Sequence, residues 1–240
     1  MKIALIGYGK IGKAIEEIAI ERGHTIAARY TSLLPFNADN LCPFDVAIEF
    51  TQPSLALAHI DICLDNHLPI VVGTTGWNEA LPSITQKTND KNGALLHASN
   101  FSLGVNLFFV LTQQLAKLMN HRDYTASIEE IHHLQKLDAP SGTAITTAEK
   151  LIQNQDTYTT WKSETGKAPL VSPTELAITA LREPNVPGTH HVHYDSPEDR
   201  ITLSHEAKNR RGFALGAVLA AEWILDKKGI YTMSDVLQLK

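Results

Sequence analysis

Residues 129–144 read EEIHHLQKLDAPSGTA, placing two imidazoles, an ammonium group and a helix start within a dozen positions. An imidazole titrates near working pH, so His132 or His133 suits proton transfer. Strand alternation, if it runs that far, sends the two rings to opposite faces, so they need not share one task. Lys136 adds a cation. Pro140, Ser141, Gly142 and Thr143 read as a helix N-terminus whose unpaired backbone N–H groups can face an anion, and Asp138 could cap or brace the turn. Together these groups suit a substrate that carries carboxylates. Read without further context, the same run also fits a helix-capping turn with exposed His and Lys.

A second constellation lies at the N-terminus. ALIGYGKIGKAI sets Gly7, Gly9 and Gly12 in G-x-G-x-x-G spacing, directly after an apolar run and opening a helical pattern. The first glycine permits the tight turn, the second lets backbone approach a pyrophosphate, and the third allows close helix–strand contact. The acidic residue expected at the end of the second strand, to hold a ribose 2′-hydroxyl, is missing. Arg29 stands there instead, and a guanidinium suits a 2′-phosphate, favouring NADPH over NADH. The plainer reading of Arg29 is a solvent-facing side chain. GTTGW (73–77) and ASNFS (98–102) fall at further strand ends, where open α/β sheets bind ligands.

These groups need a scaffold, and the apolar pattern describes one. KIALIG (2–7), HTIAARY (24–30), FDVAIEFT (44–51), LPIVVGTTG (68–76) and ALLHASN (94–100) read as strands. Helical stretches alternate with them, the first carrying Ile11, Ile15, Ile18 and Ala19 on one side. Strand–helix alternation with short connections predicts a doubly wound parallel sheet over the first 100 residues. The rhythm then changes. A long helix over 104–120 leads into an alternating strand at 124–133 and a helix from about Gly142. Strand-like runs follow at 175–183, 188–196 and 199–208, predicting an α+β portion with a largely antiparallel or mixed sheet. A final helix over 212–229 ends at Lys227, Lys228 and Gly229. The polar stretch 154–173 is the expected flexible segment.

Totals narrow the function class. The 240 residues suit one large domain or two modest ones. With 21 basic and 26 acidic residues the formal charge is −5, without a long single-sign run, which argues against nucleic acid or an anionic membrane as partner. Cys42 and Cys63 are too few for a disulfide framework and lack metal-ligand spacing, fitting a reduced, cytoplasmic protein. The opening apolar stretch is too short for a secretory signal, and no run approaches a membrane span. His191 and His193 alternate onto one strand face and could ligate a metal, but no cysteine or carboxylate nearby in sequence completes a set; no metal is expected.

The 130–144 run resembles the signature of the dihydrodipicolinate reductase family, Glu-x-His-His-x-x-Lys-x-Asp-Ala-Pro-Ser-Gly-Thr-Ala, with every fixed member present. IEFTQP (48–53), VVGTTG (71–76), ASNFSLGVN (98–106) and SHEAKNRRGFALGA (204–217) are similar to its other landmarks, in order. The chain is somewhat short for the family, notably after the second strand. The resemblance implies a Rossmann-like domain formed by 1–102 plus 211–240, and a substrate-binding and oligomerisation domain over 103–210. It implies NAD(P)H-dependent reduction of 4-hydroxy-tetrahydrodipicolinate to tetrahydrodipicolinate, in the diaminopimelate route to lysine, by a homotetramer. His132 would be the general acid and Lys136 a second proton-donating or electrostatic residue. His133 and the Gly142–Thr143 backbone would hold a carboxylate, helped by Arg210. Cofactor contacts would come from Gly7, Tyr8, Gly9, Lys10, Ile11 and Gly12, from Gly73, Thr74 and Thr75, and from Ala98, Ser99, Asn100 and Phe101. Arg29 would face the 2′-phosphate, with Ala28 where the family usually has an acidic residue. Another oxidoreductase, such as an amino-acid dehydrogenase, would share the Gly loop without needing the 130–144 run. A nucleotide sensor would tolerate loss of His132 and Lys136.

Overall fold

The computed structural model describes residues 1–239 and divides the chain into two compact units, Met1–Leu103 with the segment from Arg210 onward, and Gly104–Asn209. The first unit begins β1 (Lys2–Ile6), α1 (Lys10–Glu21), β2 (Thr25–Tyr30), β3 (Val46–Glu49), α2 (Pro53–Asp65), β4 (Ile70–Val72), α3 (Leu81–Asp90) and β5 (Ala94–His97). Successive β1 residues serve opposite faces of the sheet. Ile3 and Leu5 join a core with Ile15, Ile18 and Ala19 of α1, while Ala4 and Ile6 join one with Ile60 and Leu64 of α2. Burial on both faces explains the unbroken apolar strands. Pro53 sits in the first turn of α2, where a missing N–H is harmless.

The second unit holds most of α4 (Leu103–Met119), then β6 (Thr125–His132), α5 (Gly142–Ile152), β7 (Thr160–Thr165), β8 (Glu175–Arg182), β9 (Thr189–Asp195) and β10 (Arg200–Glu206). Its sheet runs β10-β9-β6-β8-β7. The β6–β9 and β9–β10 pairs are antiparallel, while β6–β8 and β7–β8 are parallel, so the sheet is mixed. One face carries Ala126, Ile128, Ile178 and Val192, covered by Phe108 and Ala116 of α4 and Ala148 and Leu151 of α5.

The chain returns to the first unit through α6 (Arg211–Ile224), β11 (Gly229–Tyr231) and α7 (Met233–Val236). Ala214, Ala217, Val218 and Ala221 of α6 complete the core beside α1. All pairings in this sheet are parallel, in the order β11-β5-β4-β3-β1-β2. The doubly wound parallel sheet read from the sequence is therefore present.

Two expectations are corrected. The segment 154–173 is not uniformly irregular, because 160–165 forms β7, paired in parallel with β8 from Thr160 opposite Glu175. Its polar sequence reflects an edge position in which no residue is fully buried. The final helix stops at Ile224, and Gly229 opens β11 against β5 instead of closing a helix. A three-residue strand has too little period to be seen in sequence.

Candidate active site

In the first unit the strand order reverses between β1 and β3, which opens a crevice at their carboxyl ends. Gly7, with φ +95°, turns the chain out of β1, and its N–H donates to the Tyr30 carbonyl at 3.0 Å. A Cβ on Gly7 would lie 2.1 Å from the Phe50 carbonyl oxygen, and one on Gly12 would lie 2.3 Å from that of Gly7. A Cβ on Gly9 would meet only open space. The three glycines thus make a tight, bare turn at the start of α1, where anions are favoured.

A cavity of about 340 Å³ lies there, with Gly9, Lys10, Ile11 and Gly12 on one side and Gly73, Thr74 and Thr75 on the other. Thr51 bridges the two loops, its N–H donating to Thr74 Oγ1 at 2.8 Å. A Cβ on Gly73 would collide with the Phe50 ring. A second cavity of about 690 Å³ opens from the same glycine loop past Tyr8, Tyr30, Ser32, Gln52 and His59. A small polar cradle at a helix N-terminus and a larger, more apolar neighbour fit the pyrophosphate and the aromatic base of a dinucleotide.

Ala98, Ser99, Asn100 and Phe101 follow β5, and none of them lines either cavity. Phe101 is core, its ring 5.5 Å from Phe50, and α6 clamps its backbone so closely that a Cβ on Gly216 would lie 1.7 Å from its carbonyl oxygen. Asn100 braces the turn by accepting from the Ser102 N–H at 2.8 Å. The Phe101 ring is thus committed to packing.

Arg29 is not a lone solvent-facing cation. Its Nε donates to Glu16 Oε1 at 3.0 Å, and Nη2 also reaches that carboxylate. Its guanidinium carbon lies 5.8 Å from the Tyr8 ring centre, and the Tyr8 hydroxyl donates to Glu16 Oε2. The bond from Arg29 holds the Glu16 carboxyl below its usual range, against the opposing pull of burial. A carboxylate from α1 thus stands beside Arg29 near the end of β2.

In the second unit, alternation along β6 carries Glu130 and His132 onto the helix-covered face with Ala126 and Ile128. Glu130 is fully buried. Burial alone would raise its pKa, but contacts with His132 and Arg182 outweigh that and hold it low. His132 Nδ1 meets Glu130 Oε2, and Arg182 Nη1 donates to Oε1 at 3.0 Å. His190, opposite Glu130 across β6–β9, sets its ring edge-on to His132 at 5.1 Å. Burial, and secondarily the charge of His132, lowers the His190 pKa to about 3, so it is neutral.

Ser141 caps α5 by accepting from the Ala144 N–H at 3.1 Å, and its Oγ also lies 3.1 Å from His190 Nε2. Gly142 and Thr143 form the first turn, and a Cβ on Gly142 would touch nothing. Lys136 Nζ donates to both oxygens of Asp138 at 2.8 Å. Although burial opposes it, this pairing holds the Asp138 carboxyl low. Asp138 thus pairs with the lysine, and α5 is capped by Ser141. β6 ends at His132, so strand alternation does not extend to half-buried His133, whose Nδ1 has no partner among the described residues. Arg210 lies in the other unit, exposed, immediately before α6.

Glu130, His132 and His190 bring potential ligand atoms within 4.8 Å of one another. Arg182 already supplies positive charge to Glu130 at hydrogen-bond distance, which opposes a cation there. His191 and His193 stack instead at 5.6 Å, bonded to Ser204 and Thr202. Sequence reasoning missed Glu16, Arg182 and His190. The first lies 13 residues from its partner, and the other two join the site only through strand order.

The sequence profile of the dihydrodipicolinate reductase N-terminus matches residues 1–101, and that of the C-terminus matches 104–237. A 4-hydroxy-tetrahydrodipicolinate reductase from Christiangramia forsetii is 46% identical over 238 residues, 99% of this chain and 98% of the relative. This chain is therefore not short beside that relative. One from Aquifex aeolicus is 40% identical over 221 residues, 91% of this chain and 80% of its own. The dipicolinate-bound dihydrodipicolinate reductase from Paenisporosarcina sp. TG-14 shares the fold with a TM-score of 0.76 at 23% identity, covering 97% of each chain. The chain belongs to the dihydrodipicolinate reductase family.

Proposed function

We propose that this protein reduces 4-hydroxy-tetrahydrodipicolinate to tetrahydrodipicolinate with NAD(P)H, in the diaminopimelate route to lysine. The observation that carries this reading is the complete 130–144 run, folded so that a buried imidazole, a lysine and the N-terminus of α5 belong to one unit. That set matches a cyclic dicarboxylate, whereas a nucleotide sensor has no use for a braced acid.

The residues of the glycine loop, with Thr74 and Thr75, hold the pyrophosphate, and the backbone at 98–101 borders the nicotinamide end. Bound there, the reduced nicotinamide supplies a hydride. The 4-hydroxyl must leave as water, which gives the conjugated ring that accepts the hydride. His132 then delivers the balancing proton to a ring carbon as negative charge builds there, and Lys136 stabilises that charge or gives a second proton. His133 and the Gly142 and Thr143 N–H groups hold a carboxylate. Residues 1–102 with 211–240 act as the cofactor domain, and 103–210 as the substrate and oligomerisation domain. Arg29 favours NADPH, with NADH also accepted.

Family resemblance further supports a cytoplasmic homotetramer, which light scattering on the purified protein tests. Among the described residues, no helix is long and apolar enough to cross a membrane. The direct test of activity follows NADPH and NADH oxidation while dihydrodipicolinate synthase generates substrate in the cuvette. Substrate-dependent oxidation is expected. None from folded, nucleotide-binding protein would leave the sensor reading ahead.

A further inference from the structure

The face of the second unit's sheet that α4 and α5 cover is apolar along most of its length, yet four polar side chains meet at one end. β6 contributes Glu130 and His132, β8 places Arg182 opposite His132, and β9 places His190 opposite Glu130. Apolar side chains of similar volume would serve stability at least as well as a buried ion pair. The arrangement therefore calls for a reason beyond packing.

That reason lies in how the Glu130 carboxylate is divided. Oε2 meets His132 Nδ1, while Oε1 is taken by Arg182. The guanidinium is itself fixed, donating through Nη1 to the Leu181 carbonyl at 2.6 Å and through Nη2 to that of Asp138 at 2.7 Å. We propose that Glu130, anchored by Arg182, is a positioning residue that keeps a proton on His132 Nδ1, so that the ring offers Nε2 alone for proton delivery. The inference rests on the reading of His132 as the general acid.

An ionised carboxylate can only accept, so the Nδ1 beside it must carry hydrogen. Taking up a second proton at Nε2 makes an imidazolium, which the adjacent carboxylate stabilises. Gly188 approaches that nitrogen, and a Cβ there would lie 2.9 Å from it, so glycine leaves Nε2 uncovered. The titratable and charged groups around the ring are Glu130 from β6, Arg182 from β8, His190 from β9, and Lys136 and Asp138 from the following loop. His205 of β10 acts on His190. His190 is neutral and Lys136 is paired with Asp138, so Glu130 is the carboxylate in contact with the ring.

The test is Glu130→Gln. Arg182 will hold the amide oxygen, turning the NH₂ toward Nδ1, and an NH₂ can only donate. The ring is then locked neutral with its hydrogen on Nε2. In ¹⁵N-histidine NMR the wild-type His132 is expected as the Nδ1–H tautomer, and in Glu130→Gln as the Nε2–H tautomer. kcat should fall at least about tenfold, within the range a general acid supplies, with KM within about twofold. The alkaline limb of kcat should move to lower pH.

An Nε2–H tautomer in the wild type overturns the inference without any variant. So does a folded Glu130→Gln protein whose tautomer and pH limb are unchanged, even if its kcat is reduced, since that marks a structural role. The NMR is read without substrate, so a wild type that reduces nothing defeats the proposed function while the spectra still decide the pairing.

Discussion

Arg29 and Glu16 face each other from β2 and α1, the guanidinium donating to the carboxylate through Nε and Nη2. A 2′-phosphate must compete with Glu16 for that fork, while a 2′-hydroxyl can donate to the carboxylate instead. Under the proposed cofactor reading, the pair tempers whatever preference for NADPH Arg29 confers. Glu16→Gln frees Arg29 and should raise the NADPH-to-NADH ratio of kcat/KM by about three- to tenfold. Arg29→Ala should lower it by at least as much, since a charge-assisted bond contributes about 1.5–3 kcal/mol. Steady-state kinetics with both cofactors reads each shift, and an unchanged ratio in both variants would remove this pair from cofactor choice.

His132→Gln should lower kcat by about 10²–10⁴-fold with nucleotide affinity unchanged, since it removes only the proton donor. The coupled assay and a fluorescence titration of NADPH separate the two effects. A variant that keeps full kcat would move the acid elsewhere.

Gly216→Ala tests the clamp on the 98–101 turn. Its Cβ would lie 1.7 Å from the Phe101 carbonyl oxygen, and backbone cannot yield cheaply. Overpacking of this kind destabilises by about 1–3 kcal/mol or more. The urea midpoint should drop accordingly. Gly142→Ala, where a Cβ meets open space, should leave it within about 1 kcal/mol.

His190 makes stability depend on pH in a definite direction. Its folded pKa is depressed to about 3, so on unfolding it takes up a proton anywhere between that value and about 6.5. The unfolded state then binds more protons, and stability falls as pH drops through this window, by up to about 1.4 kcal/mol per unit. Half-buried histidines, His97 and His205, push the same way. The contribution of His190 is thus the difference between wild type and His190→Gln, whose denaturation midpoint should be less sensitive between pH 6.5 and 5. Parallel pH profiles would remove His190 as a source.

Much of this was legible in the chain because local patterns carried it. The alternation IEEIH sends Glu130 and His132 inward together, and the strand–turn–helix context marks Gly7, Gly9 and Gly12. Arg182 and His190 carried no such mark. They flank β6 only because the sheet runs β9-β6-β8, and strand order is a tertiary property. Glu16 carries no mark in the sequence either, since its partner Arg29 sits on the next strand. The edge strand β7 was hidden by its polarity, and β11 by its three-residue length.

The pleat of β6 has one more consequence. Glu130 and His132 reach the interior by parity alone, sharing the odd–even phase of Ala126 and Ile128. Inserting or deleting one residue between Ile128 and Glu130 would reverse that phase for the rest of the strand, turning both side chains outward. Two residues added at the same place would restore parity, though not the match to Arg182. The strand should therefore tolerate substitution at its outward positions far better than any change in length.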